Sequence, residues 1–350
     1  ASCPYHAITF IERPCQAACG MDAIGVDENG KARIDYERCV SCGQCLVSCP
    51  FGAIVDKSQI FQVIRSITEG NSVVAIVAPS FVGQFGKNVS VPKFVAAMRQ
   101  LGFADVVEVA AGADVCAIEE ARDFVEKVPA QQKFFATSCC PSWRMMARSL
   151  FPKESGNISM TYTPMTYTAR LVKHSHPNSK VVFIGPCAAK KLEAMQEELR
   201  SDVDFVLTYE ELMGIFEARE IDFSQLPDTD DLRDASGLGR GFAAAGGVAA
   251  AVEEILRRDQ PDAEVKIQRA DGLRACRKLL TLAKAGKLDG YLLEGMACPG
   301  GCISGAGTII SADAAKKKLE AHIQQAETYS CADGPYREFA GLLEDASVPR

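Results

Sequence analysis

The sequence predicts an α/β protein with mostly parallel sheets flanked by helices, preceded by a small α+β module, and three observations predict it. Short runs of branched and aromatic apolar residues recur along most of the chain, amphipathic stretches of helical length separate them, and seven of the fifteen cysteines crowd into the first 56 residues. Apolar runs too short for helices, joined by helices, are the pattern of strands buried on both faces, which crossover-connected parallel sheets provide. The texture changes once, giving an expected N-terminal unit over 1–56 and a larger one over 57–350.

Taken in order, the N-terminal unit repeats a phrase: Cys3-Pro-Tyr-His-Ala-Ile8, Cys19-Gly-Met-Asp-Ala-Ile24 and Cys49-Pro-Phe-Gly-Ala-Ile54. Beyond it, Val73–Val77, Phe134–Ala136, Val181–Ile184 and Tyr291–Leu293 have the length and branching of buried strands. Helical periodicity covers 91–102, 114–128, 163–174, 244–258 and 271–285. The series Gly237-Leu-Gly239-Arg-Gly241 lacks the preceding strand and the spacing of a nucleotide loop and reads as a flexible turn. Lys316, Lys317 and Lys318 fall in a helical pattern and read as a solvated face.

Composition excludes several functions. With 47% hydrophobic and 24% charged residues in 350, the chain has ample material for packed cores. Acidic residues outnumber basic ones, 45 to 38, so a nucleic-acid partner has no electrostatic support. The longest apolar stretch, Val73 to Val82, is broken by Pro79 and too short to span a bilayer. A long, core-forming chain that opens without a signal peptide is not a disulfide scaffold, and a reducing cytoplasm is the expected compartment.

The cysteines must then be metal ligands or catalytic thiols. Cys39-Val-Ser-Cys42-Gly-Gln-Cys45-Leu-Val-Ser-Cys49-Pro50 has the spacing of a bacterial ferredoxin run, in which three thiolates grip one 4Fe-4S cube and the fourth reaches a neighbouring cluster. A zinc site normally needs two separated pairs instead. The crossover places Cys19 with Cys39, Cys42 and Cys45, and leaves Cys3, Cys15 and Cys49 for a second 4Fe-4S cluster. Its fourth ligand is open between His6, a non-protein ligand and a cysteine upstream of Ala1, and the start inside a repeated phrase favours a cut chain.

Three further cysteine motifs follow strand ends, where α/β folds place their sites. They are Thr137-Ser-Cys139-Cys140-Pro-Ser-Trp143, Gly185-Pro-Cys187-Ala-Ala-Lys190-Lys-Leu-Glu193, and Glu294-Gly-Met296-Ala-Cys298-Pro-Gly-Gly-Cys302-Ile-Ser-Gly305. Together they offer the thiolates of a cubane, with glycine and proline letting the backbone approach it. In kind and order these motifs resemble the three signatures of the iron-iron hydrogenases, over about residues 60 to 325. The resemblance implies a two-lobed catalytic domain with the H-cluster between the lobes, fed by a ferredoxin-like module. It implies that Cys140, Cys187, Cys298 and Cys302 hold the 4Fe-4S part, and that Cys302 bridges to a diiron subsite carrying CO, CN and azadithiolate ligands.

Other roles also come from the resemblance. Cys139 corresponds to the proton carrier next to the diiron subsite, and Glu120, Ser159 and Asp123 to the rest of the relay. Lys190 corresponds to the lysine on one cyanide, Ala78-Pro79-Ser80 to the segment facing the other, and Phe242 and Met296 to apolar walls. The implied reaction is the reversible reduction of protons to H2, with electrons from ferredoxin or a similar low-potential carrier and the diiron subsite installed by hydrogenase maturation proteins. Gly185 stands where many members have methionine, Thr163-Pro-Met-Thr166 where they have glutamine, Asp123 in place of glutamate, and Ala306 in a final glycine run; these departures point to a divergent subgroup. The rival reading is a hydrogenase-related sensor or another non-catalytic iron-sulfur protein, which could lose Cys139, Lys190 or the bridging cysteine, all of which this sequence keeps. A cysteine hydrolase is disfavoured because none of the four histidines sits in a partner motif. Cys116, Cys276 and Cys331 match no ligand position and read as buried free thiols, with Cys331 open to incidental oxidation among its polar neighbours.

Overall fold

The computed structural model describes residues 13–228, 232, 235–261 and 265–342; Cys3 and His6 lie outside the described residues. The N-terminal part holds α1 (Pro14–Ala18), an antiparallel pair β1 (Ile24–Val26) and β2 (Ala32–Ile34), and α2 (Gln44–Val47). Then come α3 (Ile60–Thr68), β3 (Val73–Val77), α4 (Val91–Leu101), β4 (Asp105–Glu108) and α5 (Val109–Lys127). They are followed by β5 (Phe135–Ala136), α6 (Pro141–Leu150), α7 (Pro164–Ser175), β6 (Lys180–Gly185), α8 (Ala189–Ala194) and β7 (Phe205–Thr208). The remainder is α9 (Tyr209–Ala218), α10 (Gly237–Gly241), α11 (Gly247–Asp259), β8 (Lys266–Asp271), α12 (Leu273–Lys284), β9 (Tyr291–Met296) and α13 (Ala312–Gln324).

Two parallel sheets organise these elements, as the alternating pattern requires. One has the order β4-β3-β6-β7 and the other β5-β9-β8, with every pairing parallel. The five residues of β3 are all buried, because helices cover both of its faces. In register, Val77 pairs with Ile184 and Phe135 with Leu292, so β3 and β6 end level in one sheet while β5 and β9 run side by side in the other. Parallel strands deliver their carboxyl ends to one side, and the segments starting at Ala78, Thr137, Pro186 and Ala297 all leave from such ends.

Where structure and sequence expectation differ, burial explains it. The strand expected over 134–136 is only Phe135–Ala136, extended by a bridge from Ala136 to Ile158. Strand β8 escaped notice because it is a largely exposed edge of polar sequence, Lys-Ile-Gln-Arg-Ala-Asp. Helix α5 starts at Val109 instead of 114, since Val109–Ala113 is buried all round and shows no amphipathic period. The expected flexible turn over 237–241 is instead the buried helix α10, capped by the Ser236 hydroxyl, which accepts from Gly239 N at 2.9 Å. Arg240 fixes it there, pairing with buried Glu108 through Nε at 2.9 Å and Nη2 at 2.7 Å. Lys316, Lys317 and Lys318 are exposed as expected. Cys116, Cys276 and Cys331 are fully buried, which corrects the expectation that Cys331 is open to oxidation: it sits beside Ser236 and Asp114. No helix among the described residues is long and apolar enough to cross a membrane.

Candidate metal centre

Cys140, Cys187, Cys298 and Cys302 line one cavity, and Cys139, Lys190, Ala78, Pro79, Ser80, Phe242 and Met296 line it with them. Each sequence motif delivers its part through a strand end. After β3, Ala78 N donates to Ile184 O at 2.8 Å, and Tyr209 clamps the turn, with its OH 2.8 Å from Ser80 Oγ and donating to Ala78 O at 3.0 Å. After β5, Pro141 opens α6 at a position where the missing N–H costs nothing, and Trp143 turns back to donate from Nε1 to Thr137 O at 3.1 Å. A side chain at Gly295 would strike the Trp143 ring, so β9 and α6 meet in full contact there.

After β9 the chain loops through Cys298 to Cys302. Gly301 sits at φ +97°, and a Cβ there would run into the backbone of Ala243–Ala245, so glycine is required on both counts. Ala245 N and Ile303 N donate at 3.0 and 3.1 Å to Gly300 O and Ala243 O and stitch the loop to the start of α11. Glu294, quoted in the motif but given no role from sequence, accepts from Gly246 N at 2.6 Å and Ala249 N at 2.8 Å and so caps α11. Gly185 has no room for a side chain because the Phe183 ring fills the space beside it, and Phe183 lines the cavity.

The electrostatics suit a metal cluster. Burial pushes the Cys187 thiol up to about 11 and the Cys302 thiol up to about 12, with Cys140 raising the first further and Cys187 the second. Cys298 is raised by burial and then by Cys187, Cys302 and Cys140, so the four sulfurs feel one another's charge. Such thiols need bound cations to stay deprotonated. Among the described residues no three His, Cys, Asp or Glu side chains converge on a single ion. Four thiols spread around one cavity suit the larger footprint of a cubane.

Lys190 is buried and held by two partners, Glu193 Oε2 at 2.6 Å and Thr163 Oγ1 at 2.9 Å; Thr163 in turn donates to Glu193 Oε1 at 2.7 Å. The motif carried Glu193, but its closure with Thr163, thirty residues away, left no local signal. Glu120 is fully buried, accepts on Oε1 from Ser138 N at 2.7 Å and Ser138 Oγ at 3.2 Å, and leaves Oε2 without a partner. Burial pushes its carboxyl up to about 8, and it in turn raises the buried Cys139 thiol. Ser159 is buried and accepts from Thr161 N at 3.1 Å, while Asp123 lies nearer the surface in a 2.5 Å pair with Lys127.

A second cavity, about 560 Å³, is lined by Cys19, Cys39, Cys42 and Cys45. Backbone N–H groups point at two of these sulfurs, Ala23 N to Cys19 Sγ at 3.3 Å and Ser41 N to Cys39 Sγ at 3.5 Å. Burial pushes the Cys42 thiol up to about 12, and Cys19, Cys45 and Cys39 raise it further. Cys42 also lines the first cavity. Next to it Gly43 stands at φ +76° with Ala306 where a Cβ would go, which seats the cysteine run directly on the glycine-rich loop after Cys302. Cys15 is buried and Cys49 half-buried; neither lines this cavity, and the Cys49 thiol is lowered by N–H groups led by Ala53, 3.3 Å away.

Comparison with known proteins places this geometry. The family model for the iron-only hydrogenase large subunit, C-terminal domain, matches residues 71–306, and a 4Fe-4S binding domain matches 32–55. The periplasmic Fe hydrogenase large subunit of Nitratidesulfovibrio vulgaris is 31% identical over 79% of this chain and 85% of its own length. An NADP-reducing hydrogenase subunit of Solidesulfovibrio fructosivorans is 30% identical over 77% of this chain, which spans 55% of that relative's length. Cytosolic iron-sulfur assembly component 3 of Bos taurus is 26% identical over 87% of the chain and 77% of its own length. In fold, an apo FeFe hydrogenase of Chlamydomonas reinhardtii superposes with a TM-score of 0.65 at 21% identity, covering 81% of this chain and 94% of that one. The matched ranges contain all the cavity-lining cysteines except Cys19, and the chain belongs to the iron-only hydrogenase large-subunit family.

Proposed function

We propose that the chain is an iron-iron hydrogenase that interconverts protons, electrons and H2. One observation carries the reading: Cys140, Cys187, Cys298 and Cys302 line the same cavity as Cys139 and Lys190, the two groups a mere cluster carrier would not need. In this reading 57–350 is the catalytic domain and 1–56 the electron-entry module, with Cys19, Cys39, Cys42 and Cys45 around one 4Fe-4S cluster and Cys3, Cys15 and Cys49 contributing to another. An H-cluster held by the four thiols supplies, when bound, the redox-active metals at which electrons meet protons.

The protein's own part is to hold protons and charge in place. Cys139, protonated at its buried sulfur, presents a proton at the cavity wall, and Glu120, protonated at neutral pH by its raised pKa, stands behind it. Ser159 and the Asp123–Lys127 pair continue toward solvent. Lys190 keeps a positive charge against the cavity, and Glu193 and Thr163 orient it, which suits an anionic subsite. Ala78, Pro79, Ser80, Phe242 and Met296 complete largely apolar walls. A ferredoxin-like carrier would donate at the N-terminal module, and maturation proteins would load the diiron subsite.

Infrared spectra of the chain after co-production with hydrogenase maturation proteins test this. Cyanide and carbonyl stretching bands are expected, together with H2 evolution from reduced methyl viologen. Loaded 4Fe-4S clusters without those bands would sink the proposal and favour the second reading, a non-catalytic iron-sulfur protein, which the likeness to the Bos taurus assembly component supports.

A further inference from the structure

We propose that a polar cavity behind the first turn of α7 binds a small inorganic oxyanion of the phosphate and sulfate class. Thr163 and Thr166 line this second space, while Pro164 and Met165 between them line the thiol cavity, so one helical turn separates the two. Thr163 holds the N-cap position of a twelve-residue helix, yet no side chain caps it. Its hydroxyl is spent on Lys190 and Glu193. An uncapped helix start carries unshared N–H groups and the positive end of the helix dipole, which together favour anions.

Two independent observations point to a ligand there. Arg144 and Arg148 stand one turn apart on α6, so they share a face, and both line the cavity. Arg148 is exposed; partial desolvation and the charge of Arg144 lower its pKa, and only Glu198 raises it. The other lining carboxylate, Glu193, is already engaged by Lys190 and Thr163. The cavity thus faces two guanidiniums with one carboxylate to answer them. Thr166 supplies the second observation: it is fully buried, it lines the cavity, and its hydroxyl has no hydrogen-bond partner. Guanidinium forks, a hydroxyl and a helix start outnumber the acceptors that Glu198 and Gln196 offer them, and a tetrahedral oxyanion brings acceptors on every side. About 160 Å³ of space admits such an ion.

Isothermal titration of the purified chain with inorganic phosphate, in a chloride-containing buffer, tests the proposal. Saturable binding near one ion per chain is expected, displaced by sulfate, and weakened about tenfold or more in Arg144→Gln/Arg148→Gln. Thr166→Val, which keeps the shape and removes the hydroxyl, is expected to weaken it severalfold. Absence of saturable binding, or a double variant that binds like the parent, overturns the proposal. Where the double variant does not fold, unchanged affinity in Thr166→Val overturns it instead. Acetate binding as tightly as phosphate would assign the site to carboxylates and overturn the stated class. The measurement needs neither clusters nor turnover, so its failure leaves the hydrogenase reading standing.

Discussion

Replacing Glu120 by glutamine removes a titrating group while keeping an oxygen for Ser138 N and Ser138 Oγ to donate to. The carboxyl rises from 4.5 to about 8, chiefly through burial. Each pH unit is worth about 1.36 kcal/mol, so the full rise corresponds to roughly 5 kcal/mol. The sign follows from proton counting: between the two pKa values the folded chain keeps a proton that the unfolded chain has lost. Stability attributable to this group therefore falls as pH rises from the unfolded pKa to the folded one. Integrated from pH 5 to pH 8, the loss is about 3.5 kcal/mol. Denaturant unfolding of parent and Glu120→Gln at both pH values isolates this contribution, because other titrations cancel in the difference. The variant is expected to gain about 3.5 kcal/mol on the parent between pH 5 and pH 8. A stability difference that stays constant within about 1 kcal/mol over that span would refute the assignment of Glu120 as a carboxyl kept neutral by burial.

Three further outcomes are expected. On the proposed function, in which Cys139 donates protons and binds no metal, Cys139→Ala should keep the iron content of the parent and lose about a hundredfold or more of H2 turnover, measured by gas chromatography with reduced methyl viologen. Glu294→Ala should cost about 2–4 kcal/mol in denaturant unfolding, because two buried N–H groups at the start of α11 lose a charged acceptor. Arg240→Ala should cost about 3–5 kcal/mol, leaving buried Glu108 with only His322 Nε2, 3.4 Å away, beside it, and Arg240→Ala/Glu108→Ala should recover part of it.

How far the sequence could be read depended on the range of the interaction that matters. Strands β3, β6 and β9 are legible because burial on both faces imposes an unbroken apolar run, whereas β8 carries mostly polar side chains at an exposed edge. The cysteine motifs are legible because tight loops fix ligand spacing within a few residues. What the spacing cannot show is closure between distant segments. The Lys190–Glu193–Thr163 triangle, the Glu294 cap of α11 and the Arg240–Glu108 pair join residues 27 to 132 positions apart. The glycines at 237, 239 and 241 misled for the same reason, since a short helix among glycines holds only when a distant carboxylate anchors its arginine.

Cys42 has one more consequence. It lines both cavities, and the thiol of Cys298 on the far side responds to its charge. A polarisable sulfur thus faces both spaces. Charge stored on one side raises the cost of storing more on the other, so redox centres housed there would fill anticooperatively, with the first electron altering the potential met by the second. A titration of either centre would then report on the pair, with apparent midpoints that belong to neither alone.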